Sequence, residues 1–248
     1  MKKTIWLFAI LFCLAFGNSS ARAEDLIFLT EENPPFNHMK AGSVSGVATD
    51  VLLRMTEIAN IPLNREEVIL LPWARGYQRL LNSPNVILYS MAKTSSRKGL
   101  FQWIGPIVNV KSVLIARKDS GIRINNLISD SNGRVIGTIR GSASEHVILS
   151  KGVSPNAIQR LHNLKLNVQK LKNGRVDMVA MPEAAFLYHV KELGYDPDLF
   201  ENVHTLLETS LYYGVSRGMD PALVNRLQKA LDQLTASGEI NRIKLQYR

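Results

Sequence analysis

Cysteine is nearly absent: Cys13 is the only one in 248 residues. It lies within a stretch that has the layout of a secretory signal peptide. Met1-Lys2-Lys3 is a positive start, Ile5 to Phe16 is an apolar run of twelve residues, and Ala21-Arg22-Ala23 is an A-x-A cleavage site. As a helix, twelve residues span about 18 Å, short of the roughly 30 Å hydrocarbon core. A transmembrane anchor is therefore not expected. A lipoprotein would need Cys13 at the cleavage point, where Phe12 stands in place of a small residue. The mature chain is expected to begin near Glu24, leaving 225 of the 248 residues. It then has no disulfide, no thiol nucleophile and no cysteine metal ligand. A chain of that length can bury a sufficient core without them.

Other features are missing as well. No second apolar run is long enough to span a membrane. The formal charge of +9 falls to +6 once Lys2, Lys3 and Arg22 are removed, and the excess is not gathered into a basic block. A nucleic-acid surface would want such a cluster with interleaved aromatics. There is no H-E-x-x-H, G-x-S-x-G or P-loop signature. The five histidines, His38, His146, His162, His189 and His204, show no ligand spacing. No catalytic set, metal site or cofactor is expected. Pro/Gly/Ser linkers and internal repeats are also lacking.

What is present is an alternation of short apolar strands and amphipathic helices. Leu26–Thr30, Glu67–Leu71, Val86–Leu88, Arg134–Ile139 and Val176–Met181 read as buried strands. Val47–Asn60, Pro72–Asn82, Asn126–Asp130, Asn163–Lys172 and Pro182–Leu193 read as helices. So do Pro221–Ala236, with Asp220 as N-cap, and Ile240–Tyr247. Phe36 reads as a core anchor and Asp50 as a first-turn acid. Gly141-Ser142 opens a further helix, an anion-accepting arrangement after a strand, although Ser142 also reads as an ordinary N-cap. The class is α/β with mainly parallel sheets. Two long extended segments, near Asn109–Ala116 and Thr209–Ser216, read as crossings between two lobes.

The stretch Tyr89 to Pro106 holds the most chemistry. A strand end runs into small and hydroxylated residues, then Arg97, then Phe101, Trp103 and Pro106. Small residues let backbone N–H groups approach a ligand, and a guanidinium beside them can hold a carboxylate bidentately. S-M-A-K-T-S-S-R followed by F-x-W-x-G-P resembles the signature of extracellular solute-binding proteins of family 3. The resemblance extends loosely from Leu26 to the C-terminus. Pro35-Phe36, Gly46 with Asp50-Val51, N-G-R-V-D-M-V-A and the D-P-x-L ending add to it.

The resemblance implies a two-lobed, type II periplasmic-binding fold. Residues 24–112 with 213–248 would form one lobe and residues 113–212 the other. It implies a carboxylate grip by Arg97, assisted by Ser90, Ala92 and Thr94. It places Trp73 at the cleft, with Arg75 as a second anion contact, and Ser142 on the same carboxylate from the second lobe. Asn33 stands where a stacking aromatic would be. Pro182 stands where amino-acid binders carry an acid for the ammonium group, with Glu183 next to it as a shifted substitute or a plain helix-first-turn acid. The ligand is then expected to be a small carboxylate-bearing or amino-acid-like solute, not an ordinary α-amino acid in the usual pose. The resemblance implies a monomeric periplasmic binder serving an ABC-type permease. The alternatives are a sensor that signals occupancy to a membrane receptor, or a dehydratase-like enzyme with Glu183 as its acid.

Overall fold

The computed structural model describes residues 26–247; the signal-peptide and cleavage expectations lie outside them. Strand β1 (Ile27–Thr30) leads through a turn into a hairpin, β2 (His38–Lys40) and β3 (Ser43–Ser45). Then come α1 (Val47–Ile58), β4 (Ile69–Leu70), α2 (Trp73–Asn82), β5 (Val86–Ala92) and the long β6 (Gln102–Arg117). The next elements are α3 (Leu127–Asp130), β7 (Ile136–Ile139), α4 (Ala143–Ser150), β8 (Ile158–Leu161) and α5 (Leu164–Lys172). The chain finishes with β9 (Met178–Pro182), α6 (Glu183–Glu192), the long β10 (Phe200–Val215), α7 (Pro221–Ala236) and α8 (Glu239–Leu245).

Eight strands form one continuous sheet in the order β4-β1-β5-β10-β6-β9-β7-β8. Pairs β1–β4, β1–β5, β7–β8 and β7–β9 are parallel. The three antiparallel pairs within this sheet all involve β6 or β10. These two strands are sixteen residues each, longer at their starts than the sequence reading, and they run side by side through the middle of the molecule. The first half of the sheet carries β4-β1-β5 and the second β9-β7-β8. Within each half the strands are parallel, so their carboxyl ends and following loops gather on one side of that half, and the antiparallel pairing through β10 and β6 turns the two sets toward each other.

Local signals account for most elements. In α7, Asp220 accepts from the Ala222 N–H at 2.9 Å and Pro221 sits in the first turn. Its buried face is Val224, Leu227, Ala230, Leu231 and Leu234. A fully buried leucine contributes about 1.5–3 kcal/mol, so this stripe fixes α7 against α1 and α8. Strand β5 is buried over all seven residues, the pattern of a central strand covered on both faces. Phe36 joins the core of the first half. Asp50 pairs with Arg65 at 2.7 Å and accepts from the Tyr247 hydroxyl at 2.5 Å.

Candidate functional site

The cleft is assembled from strand ends. Strand β1 stops at Thr30, and the chain runs through Glu31 and Glu32 into a turn from Asn33 to Asn37. That turn is closed by paired bonds between the Asn33 and Asn37 backbones, at 2.7 and 3.2 Å. The Asn37 side chain holds it from within: its Nδ2 donates to the Glu31 carbonyl at 2.5 Å, and its Oδ1 accepts from the Ser90 hydroxyl. Ser90 lies where β5 bulges against β10, with φ of 63°. A non-glycine residue in that region is uncommon and marks a constrained position.

After Ala92 the chain makes a tight turn. The Thr94 carbonyl accepts from the N–H groups of Arg97 and Lys98 at 3.0 and 2.9 Å. This folds Arg97 back beneath the strand end, where it is only 2% exposed. Its guanidinium lies 4.7 Å from the Trp73 ring centroid and 5.2 Å from that of Tyr77. Nη2 donates to the Gly141 carbonyl at 2.9 Å, and Nη1 has a long contact of 3.4 Å to the Ala92 carbonyl. Among the described residues no carboxylate comes within salt-bridge distance of it. Burial lowers the Arg97 pKa, with Tyr77 and Glu31 pulling the other way. Guanidinium nevertheless stays charged in proteins, so the cleft contains a buried cation with neutral partners.

The second half presents the turn between β7 and α4. Trp73 Nε1 also donates to the Gly141 carbonyl, at 2.8 Å. One backbone oxygen thus receives two side chains from the opposite half. Ser142 caps α4, its hydroxyl accepting from the Glu145 N–H at 3.2 Å. Glu145 is buried and bonds Thr138 Oγ1 at 2.6 Å and Arg160 Nε at 3.0 Å. The turn is therefore pinned from beneath. Glu145→Ala is expected to lower stability by roughly 2 kcal/mol, since it strands the Thr138 hydroxyl while Arg160 keeps access to water. Ser142→Ala should cost only about 1 kcal/mol. Urea denaturation of the two variants checks the ordering.

Between these walls lies a cavity of about 60 Å³. Asn33, Trp73, Ser90, Ala92, Arg97 and Ser142, all expected from the sequence, line it together. Asn33 is 4% exposed, and its Oδ1 has no hydrogen-bond partner among the described residues. Three expected residues are not brought to it. Thr94 serves the turn behind Arg97, its hydroxyl 3.1 Å from that of Ser96. Arg75 points to solvent on α2. The Glu183 carboxylate is bonded by the Asn202 amide and lines a different groove with Lys111 and Glu208. Each departs for a local reason: a turn hydroxyl, an exposed helix face and a nearer partner.

Glu31 is the residue that sequence reasoning missed. Half-buried, it lines both the Arg97 cavity and an adjoining groove of about 310 Å³. Desolvation pushes its carboxyl up to about 8, against the pull of Arg97. The pair Glu31-Glu32 after a strand reads as a solvated loop, and no spacing signal distinguishes it. Pro182 also lines the cavity, so the place without an acid is as expected, but the cavity does contain one. Among the described residues no group of His, Cys, Asp or Glu is arranged to hold a metal. No helix there is long and apolar enough to cross a membrane.

The sequence model of the bacterial extracellular solute-binding proteins, family 3, matches residues 26–248. No curated protein sequence is similar enough to count as a match. Solved structures are similar in fold. A histidine kinase sensor domain with similarity to periplasmic binding proteins superposes with a TM-score of 0.77 at 17% identity, covering 90% of this chain and 95% of that one. A substrate-binding protein of an ABC uptake transporter from Streptococcus pneumoniae, with bound histidine, gives 0.76 at 20% identity, covering 89% and 91%. A mutant of ArgBP from T. maritima gives 0.75 at 19% identity, covering 89% and 94%.

Proposed function

The chain belongs to the bacterial extracellular solute-binding proteins, family 3, and from that premise we propose that it captures an amino-acid-like solute between two lobes in the periplasm. It binds the solute without transforming it and delivers it to an ABC-type permease. The lobes are residues 24–112 with 213–248, and residues 113–212, with β6 and β10 as the hinge. The observation that carries the reading is Arg97, a buried cation lining the cavity without a carboxylate partner. Leaving a charge buried and unpaired is expensive, and a ligand carboxylate relieves that cost with bidentate hydrogen bonds.

Glu31 revises the expectation that an ammonium group would find no acceptor. Its carboxyl lines the same cavity, so a dipolar solute is held with its carboxylate at Arg97 and its ammonium group at Glu31. Ser90, Ala92, Ser142 and Asn33 supply the remaining polar contacts, and Trp73 is a wall. The dehydratase-like alternative placed its acid on Glu183, whose carboxylate is engaged by Asn202 outside the cavity. Sensing remains a second reading, favoured by the fold shared with a kinase sensor domain. A genomic neighbour encoding a receptor kinase in place of a permease would select it.

The test is a thermal-shift and tryptophan-fluorescence screen of the twenty amino acids beside simple carboxylates and keto acids. Trp73 and Trp103 are the two tryptophans after residue 23, so a solute at Trp73 should change the emission. A binder should also shrink the radius of gyration in solution scattering, as hinge closure requires. Saturation with no change in radius would remove the lobe closure, and the absence of any binder would remove the capture reading.

A further inference from the structure

Beyond the Arg97 cavity the two halves meet again along a seam of rings. His38, on β2 of the first half, is 5% exposed. Its ring centroid lies 5.3 Å from that of Tyr188, on α6 of the second half. Tyr188 in turn lies 5.5 Å from His189, edge to face, and His189 is 3% exposed. His189 Nδ1 is 2.9 Å from Glu192 Oε2, and Lys165 Nζ reaches Glu192 Oε1 at 2.9 Å. On the first half, Glu32 Oε2 accepts from the Met39 N–H at 3.2 Å and braces the strand that carries His38. Met39, Glu32, Tyr188, His189, Glu192 and Lys165 together line the 310 Å³ groove outside the cavity.

The imidazoles are placed to tolerate only their neutral form. His38 Nδ1 and His189 Nε2 are buried with no hydrogen-bond partner among the described residues. The carboxylate at His189 Nδ1 assigns the proton to that nitrogen, which leaves Nε2 as a bare acceptor. A second proton on either ring creates a buried N–H with nothing to receive it. We propose that the His38–Tyr188–His189 stack is a latch between the two halves that holds while both imidazoles are neutral and lets go in acid, an inference that rests on the capture reading above.

The surrounding charges set the sign. Burial lowers the pKa of both rings from 6.5. At His38, Lys40 and His189 add to this while Glu192 and Asp50 oppose it. At His189 the Glu192 hydrogen bond opposes it and Lys165 adds to it. Tyr188 is faced by Glu192, Glu32 and Lys165. A ring whose pKa is lowered on closure contributes fully above about 6.5 and loses that contribution as pH falls below it, by up to about tenfold in affinity per pH unit for each histidine. Glu31 and Glu32 act oppositely. Desolvation raises both, so closure takes up protons there as pH falls. The latch must therefore be read as a difference between variants.

The probe is an equimolar mixture of the twenty amino acids, followed by thermal shift at about pH 7.5 and about pH 5.5. Wild type should lose more of its ligand-induced shift in acid than His38→Gln/His189→Gln, whose apparent affinity should fall at least about tenfold less over that interval. Histidine ring NMR of the wild type with and without the mixture keeps the idea testable if the variant does not fold. The resonances of His38 and His189 should titrate lower with the mixture than without. Identical titration near 6.5 in both states, or equal pH dependence of wild type and variant, overturns the latch. No thermal shift at pH 7.5 would overturn the capture reading, and scattering of the free protein would still decide the latch: a radius of gyration larger at about pH 5.5 than at about pH 7.5 in wild type but not in the double variant supports it, and equal behaviour of the two overturns it.

Discussion

Arg97→Met is expected to raise the Kd for the solute at least about a hundredfold while leaving the ligand-free protein as stable as wild type or more so. The affinity loss follows from two charge-assisted hydrogen bonds, each contributing about 1.5–3 kcal/mol, where 2.7 kcal/mol already corresponds to about a hundredfold. The stability outcome has a different origin. The guanidinium is buried against Trp73, Tyr77 and two carbonyls with no carboxylate within bonding distance among the described residues. Replacing a buried charge with an apolar side chain of similar length is often neutral or stabilising. Trp73 still donates to the Gly141 carbonyl, so that oxygen is not orphaned. Isothermal titration with the solute found in the screen, beside thermal melts without it, separates the two effects. Arg97→Lys should recover little of the affinity, because an ammonium group lacks the planar fork. A variant that binds as tightly as wild type would remove Arg97 as the anchor.

Gly46→Val is expected to destabilise the fold by roughly 3 kcal/mol or more, among the largest effects of any substitution outside the core. Helix α1 begins here without a side-chain cap. Its first N–H groups are instead received by the turn before the hairpin: Val47 donates to the Pro35 carbonyl at 3.1 Å, and Ala48 to the Phe36 carbonyl at 2.8 Å. That approach leaves no room at Gly46, where φ is 127° and an added Cβ would lie 2.4 Å from the Phe36 oxygen and 2.8 Å from the Asn37 nitrogen. These are backbone atoms of the turn that holds Asn33 and Asn37 in the cleft, so binding should suffer with stability. Gly42→Ala is the control. It shares a positive φ of 86°, but open space surrounds the added carbon, and about 1 kcal/mol is expected from strain alone. Urea denaturation of both variants checks the contrast, and equal costs would show that the close approach to Phe36 is unimportant.

A missing acid at one motif position does not leave the cavity without one. Pro182 occupies that place, as the sequence indicates, and it does line the cavity. The acid that lines the cavity with Arg97 is Glu31, which follows the end of β1. Two positions on different strands can serve one point in space, and only their convergence reveals it. The same convergence separates Asn33 from Glu32. The first is sealed into the cavity wall, whereas the second lines the groove outside it.

The elements legible in the sequence are those whose causes lie within a few residues. Helix α7 runs from Pro221 to Ala236 as read, because Asp220, Pro221 and a leucine stripe at helical spacing are local signals. The cap of α4 by Ser142 and the first three residues of β5 were legible for the same reason, whereas its continuation through Ser90 to Ala92, read as a loop of small and hydroxylated residues, was not. The small hairpin, β8 and the early starts of β6 and β10 were not, since short or half-polar strands are decided by the partners that accept their hydrogen bonds. The site divides in the same way. Arg97 stood out through its motif, and the turn that folds it inward is local. Its meeting with Gly141 joins residues 44 apart, and that of Trp73 with Gly141 residues 68 apart. Thr94, Arg75 and Glu183 carry the right chemistry, yet a turn hydroxyl, an exposed helix face and a nearer amide partner keep them from the cavity. Glu31, His38 and Tyr188 look like ordinary surface residues until β6 and β10 bring the two halves together. Sequence fixes charge, size and local geometry; which of those groups lose their water is settled only by tertiary packing, and that loss of water gives Arg97, Glu31 and the two histidines their properties.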